Sequence, residues 1–171
     1  MSPNPGDIGL VAIRGRVGAG IRLGQWLCGD GYADFEHAFV HVGDGEIVEA
    51  MPHGALLSKL SRYDDRAVET GLAWLRCPRE YGTEVARAAR EMVGVPYSFL
   101  DYGAIALHRF RVPAPHLRAY IEASGHQICS QLCDRAAERG GWHLFNDKRW
   151  HGYVTPGSLY QLSLTQPTTS S

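Results

Sequence analysis

The stretch from Glu36 to Ala50 constrains this chain more than any other. Two runs rich in apolar residues flank Gly43-Asp44-Gly45, which predicts a β-hairpin. Side chains alternate between the faces of a strand, so the hairpin register decides which residues meet. With a three-residue loop at Gly43-Asp44-Gly45, Val42 lies opposite Glu46, Phe39 faces Glu49 and His37 lies opposite Met51. On that register His37, His41 and Glu49 share one sheet face. Glu49 is then the diagonal neighbour of both histidines, within reach of a long side chain. A slip of one residue would move Glu49 to the other face. Spacing alone does not choose between the two histidines.

The rest of the chain sorts around this hairpin. Pro5-Gly6-Asp7 is a turn before an apolar strand at residues 8–13. Residues 21–27 have the spacing of a short helix, and residues 73–77 that of a strand ending before Pro78. Thr83 is the expected N-cap of a helix over residues 84–93, with Gly94 as its stop. Helices are also expected over residues 97–110, 117–123 and 128–139, the last ended by Gly140-Gly141. Pro156-Gly157 precedes a short apolar segment at residues 158–164. Strands followed by helices favour an α+β fold over a doubly wound sheet.

The 171 residues fit one domain over residues 1–164, with a disordered Thr- and Ser-rich tail at 165–171. An apolar fraction of 44% is enough to build a core, yet no apolar run approaches the roughly 20 residues that span a bilayer. A net charge of −1 gives no basis for broad nucleic-acid binding. The four cysteines are Cys28, Cys77, Cys129 and Cys133, with no C-x-x-C spacing. That is no disulfide scaffold, and it fits a reducing cytoplasm. Residues 1–7 have neither the basic nor the apolar region of a signal peptide, so a cytoplasmic location is expected. Export with a partner, or incorporation in a virion, are the alternatives.

Cys129 is the leading candidate nucleophile. It stands at the expected start of a helix, where unsatisfied N–H groups and the helix dipole stabilise a thiolate and a developing oxyanion. A thiol nucleophile needs a base and a group that orients the base. His37 or His41, with Glu49, supplies both from the hairpin. A zinc reading is also open: His126, Cys129 and Cys133 lie along one helical side, and His37 or His41 would complete four ligands. Structural zinc sites usually come as closer pairs. The expectation is therefore no metal and no cofactor.

Several segments carry a resemblance. Pro5-Gly6-Asp7-Ile8 resembles the opening strand of the circularly permuted NlpC-like cysteine hydrolases, which are papain-like. The run from His37 to Ala50 is similar to that family's histidine strand, glycine turn and following "EA" strand. Gly94-Val95-Pro96-Tyr97-Ser98-Phe99 is similar to its "G-x-P-Y-x-F" segment, Ile128-Cys129-Ser130-Gln131-Leu132 to its nucleophile helix, and Thr155-Pro156-Gly157-Ser158-Leu159 to its closing motif. The segments keep the family's order and span residues 5–159. The resemblance implies a papain-like α+β domain, an antiparallel sheet packed on helices, with the nucleophile at a helix N-terminus. By position it makes Cys129 the nucleophile, His37 the base and Glu49 the orienting residue. It implies an enzyme that cleaves peptidoglycan stem-peptide amides through a thioacyl-enzyme. Two departures bear on substrate: Gln131 stands where the family often has Glu, and Ala-Phe-Val-His follows His37 in place of Val-Gly-Ile-Tyr.

Two rivals remain. Related permuted proteins act on lipid acyl groups as thioesterases or acyltransferases, commonly with a hydrophobic anchor that this sequence lacks. A non-catalytic binding or structural protein, part of a larger assembly such as a phage particle, is the rival of a different class.

Overall fold

Alternating apolar residues, small residues at close approaches and glycines at the turns build an antiparallel sheet with helices packed on one face. The computed structural model describes residues 2–12, 35–51, 54–65, 71–96, 129–147 and 154–166. Among these, the strands are β1 (Ile8–Val11), β2 (His37–Gly43), β3 (Glu46–Met51), β4 (Gly54–Lys59) and β5 (Leu72–Leu75). The helices are α1 (Arg79–Glu91), α2 (Cys129–Arg139) and α3 (Pro156–Thr165), with a 3-10 turn at Leu60–Tyr63. The sheet order is β4-β3-β2-β1-β5 and every pairing is antiparallel. The fold is α+β, as expected.

The hairpin departs from expectation at its tip. The loop is two residues, Asp44 and Gly45, at φ 54° and 66°. Positive φ at both positions suits the right-handed twist of the flanking strands, and Asp and Gly tolerate it best. Gly43, at φ 98°, pairs with Glu46, so Val42 is the extra residue of a bulge between His41 and Gly43. The bulge absorbs the one-residue difference. Beyond it Phe39 lies opposite Glu49 and His41 opposite Ile47. The expected pairing of Val42 with Glu46 is corrected, while the facing of His37, His41 and Glu49 stands.

The two faces of the sheet bury different material. Ile8, Leu10, Ala38, Val40, Val48, Ala50 and Leu75 form the main core with the helices. α1 contributes Val85, Ala86 and Ala89, and α2 contributes Leu132, Cys133, Ala136 and Ala137, each at helical spacing. The other face carries a smaller cluster of Val11, Phe39, Ile47 and Tyr63. Gly9 pairs with Phe39, and a Cβ there would lie 2.2 Å from the Phe39 ring. That glycine lets the ring lie across β1.

α1 begins at Arg79, directly after Pro78, and not near Thr83. Tyr81 N donates to the Pro78 carbonyl at 3.0 Å and opens the helix there, and Gly82 in its first turn packs on the N-terminal turn, where a Cβ would lie 2.6 Å from the Pro5 carbonyl. Asp7 ties that turn to the end of β5. Its Oδ1 accepts from Cys77 N at 2.9 Å and its Oδ2 from Arg76 Nη1 at 2.7 Å.

α3 starts two residues before the expected apolar segment. Thr155 Oγ1 accepts from Ser158 N, Ser158 Oγ accepts from Thr155 N, and Pro156 occupies the first turn. Gln166 then exchanges hydrogen bonds with both the N–H and the carbonyl of Arg76. The expected helices at 21–27, 97–110 and 117–123 lie outside the described residues. No helix among the described residues is long and apolar enough to cross a membrane.

Candidate functional site

His37 is the first residue of β2 and Cys129 lies in the first described turn of α2, and the two meet at one end of the sheet. The Cys129 side chain is hydrogen-bonded to the His37 ring. His37 Nε2 donates to Glu49 Oε2 at 2.8 Å. The diagonal relation across β2 and β3 makes that contact, since Glu49 lies opposite Phe39, two residues along from His37. Cys129 is 2% exposed, His37 4% and Glu49 0%. One imidazole thus sits between a buried thiol and a buried carboxyl. Such a chain can move a proton from sulfur to nitrogen and hold the resulting cation.

Electrostatics agree with the geometry. Burial disfavours a charged His37, but the Cys129 and Glu49 side chains outweigh it and raise the imidazole to about 9. Burial likewise opposes ionisation of Glu49. Hydrogen bonds from His37, Tyr63 and Ser58, with the nearby imidazole charge, hold its carboxyl down at about 2. Two further buried thiols, Cys77 and Cys133, are held in the neutral form. Desolvation, with Asp7 and Glu80 nearby, pushes Cys77 up to about 12. Desolvation, with Cys129 and Asp134 nearby, pushes Cys133 well above the usual thiol range. Cys77, Cys129 and Cys133 are thiols, none of them in a disulfide.

His41 is separated from this chain by its own partners. Its Nδ1 donates to the Asn4 carbonyl at 3.0 Å, and its ring meets Trp74 edge-on at 6.2 Å. A carbonyl only accepts, so Nδ1 carries a proton and His41 serves to tie down the N-terminal segment. The structure therefore brings together Cys129, His37 and Glu49 and leaves His41 apart. His126, weighed as a zinc ligand, lies outside the described residues. Among the described residues no group of three His, Cys, Asp or Glu side chains is disposed to hold a metal ion.

Sequence reasoning missed the residues beneath Glu49. Tyr63 Oη donates to Glu49 Oε2 at 2.5 Å, and Arg62 Nη1 donates to Oε1 at 2.5 Å. Arg62 also reaches Ser58 Oγ at 3.0 Å. β4 pairs with β3 and returns the chain alongside Glu49, where the 3-10 turn delivers both side chains. The glycine at position 54, three residues after Met51, was the available signal for a second hairpin, and it adopts φ 117°. No protein-family model matches the sequence, and a search of curated proteins finds no match.

Proposed function

We propose that the chain is a cysteine hydrolase on a permuted papain-like domain, with Cys129 as nucleophile, His37 as base and Glu49 as the group that orients the base. The observation that carries this reading is a single buried imidazole hydrogen-bonded to both the Cys129 thiol and the Glu49 carboxylate. With Nε2 engaged by Glu49, Nδ1 is the nitrogen left for the thiol. The proton moves from sulfur to His37, and the thiolate adds to a substrate carbonyl carbon. As the tetrahedral intermediate collapses, the imidazolium protonates the leaving amine and a thioester remains on Cys129. Water then attacks the thioester with His37 taking its proton, the acid leaves, and the thiol is restored. Partial charges at the start of α2 favour the thiolate. The resemblance to the permuted NlpC-like hydrolases supports stem-peptide amides of peptidoglycan as the substrate class.

The test is iodoacetamide labelling from pH 5 to 9, mapped to each cysteine by mass spectrometry, in wild type and His37→Ala. Cys129 should label rapidly below pH 7 and lose at least about tenfold of that rate in the variant. Cys77 and Cys133, whose thiols are pushed upward, serve as internal controls and should stay unlabelled in the folded protein. Labelling of Cys129 no faster than of an ordinary thiol, or unchanged by the substitution, would reject the reading. Hydrolysis of muropeptides against acyl esters then separates amidase from acyl-transfer chemistry.

A further inference from the structure

Glu49 is fully buried, and a buried carboxylate is costly unless its oxygens are engaged. One hydrogen bond from His37 leaves most of its acceptor capacity open. Besides Ser58 on β4, the remaining capacity is filled from one short segment. Tyr63 Oη donates to Oε2, the same oxygen that His37 uses, while Arg62 Nη1 donates to Oε1. Both oxygens are thus pinned, and the carboxylate plane cannot rotate away from the imidazole. We propose that Tyr63 and Arg62 are positioning residues, which hold the Glu49 carboxylate in the one orientation that presents Oε2 to His37 Nε2. The role rests on the proposed nucleophilic function of Cys129.

Both side chains are themselves held. The Tyr63 ring is 4% exposed, stacks on Phe39 at 5.2 Å and 3°, and lies 6.0 Å from the His37 ring. The Arg62 guanidinium lies over the Tyr63 ring at 5.5 Å and holds Ser58 Oγ with the nitrogen that reaches Glu49. The groups that face Glu49 are His37 from β2, Ser58 from β4, and Arg62 and Tyr63 from the 3-10 turn. All are donors and two can carry positive charge. Together they keep the carboxylate anionic at any pH where the imidazole titrates. An anionic Glu49 keeps a proton on Nε2 and so turns Nδ1 to the thiol. Lys59 belongs to a different pair, with Glu46 at 3.0 Å, and takes no part.

The test follows Glu49 directly, by carbon NMR of 13C-glutamate-labelled protein with Glu49→Gln to assign the signal. In wild type the Glu49 signal should stay at its ionised position down to pH 4. Tyr63→Phe keeps the stacked ring and removes one donor, and Arg62→Met removes the other. Each should raise the midpoint by about one to two pH units, and the double variant should titrate above pH 4. Arg62→Lys should recover part of the Arg62→Met change, and Lys59→Ala should leave the signal in place. Cys129 labelling at pH 7 should fall at least about fivefold in the double variant. Variants whose Glu49 signal and Cys129 labelling both match wild type would overturn the positioning role. If wild-type Cys129 labelling does not depend on His37, the proposed function falls and this role falls with it. That outcome is distinguishable, because Glu49 would still titrate higher in the variants.

Discussion

Glu49 and His37 each sit in an environment that opposes their charge, and polar partners offset it: Cys129 and Glu49 for His37, and His37, Tyr63 and Ser58 for Glu49. Burial alone would neutralise both groups. The contact at 2.8 Å is the one support the two groups share. Removing only the charge therefore differs from removing the side chain. Glu49→Gln should lower the His37 midpoint from about 9 by at least about one pH unit, read by NMR titration of the ring. Glu49→Ala leaves His37, Tyr63 and Arg62 without their acceptor. It should cost about 3 kcal/mol or more in urea unfolding, because breaking a buried pair leaves uncompensated donors. A loss within the range of a surface substitution would show that these donors find other partners.

At the scale of elements, glycines set how closely strands and helices approach. Gly140, just past α2, lies against α1: a Cβ there would be 2.6 Å from Val85 N and 2.7 Å from Val85 Cα. Backbone cannot yield as a side chain can, so Gly140→Ala should destabilise by about 2 kcal/mol while Cys129 labelling keeps its pH profile. Gly9→Ala should be comparably destabilising by thermal melting, yet different in kind. Its Cβ would push the Phe39 ring, which stacks on Tyr63, so the Glu49 titration should move as well. If both variants affect the site equally, Gly9 has no specific link to it. The same scale explains the corrected boundaries. Propensity put the start of α1 at Thr83, but the turn closed by Tyr81 N on the Pro78 carbonyl carries it back to Arg79, and Gly82 fits that turn against Pro5. Pro156-Gly157 reads as a break in the sequence, yet Pro suits the first turn of a helix and the Thr155–Ser158 capping box fixes the start there.

Across the whole molecule, the coupled pair shapes how stability depends on pH. Glu49 moves down from 4.5 to about 2 on folding. Its contribution is fully present above about pH 4.5 and is lost as the pH falls through about 2. His37 moves up from 6.5 to about 9. Its contribution is fully present below about pH 6.5 and is lost as the pH rises through about 9. The stability gap between wild type and Glu49→Gln should therefore narrow toward low pH. The gap between wild type and His37→Gln should narrow toward high pH. Urea midpoints at half-unit pH steps would check both, and gaps independent of pH would contradict the linkage. Much of this was legible in the sequence. The hairpin, the facing of His37 and Glu49, the strands-then-helices order and the α2 span follow from local periodicity and turn chemistry, which a chain carries in its residue order. The choice between His37 and His41 did not follow from spacing, because both lie on one face at equal diagonal distance from Glu49. Long-range placement separated them, with the Asn4 carbonyl taking His41 and Cys129 meeting His37. The bulge at Val42, the supports from Arg62 and Tyr63, and the burial that drives both pKa shifts likewise depend on contacts between residues distant along the chain. Such contacts exist only once the sheet and helices have packed, so the tertiary structure alone decided them.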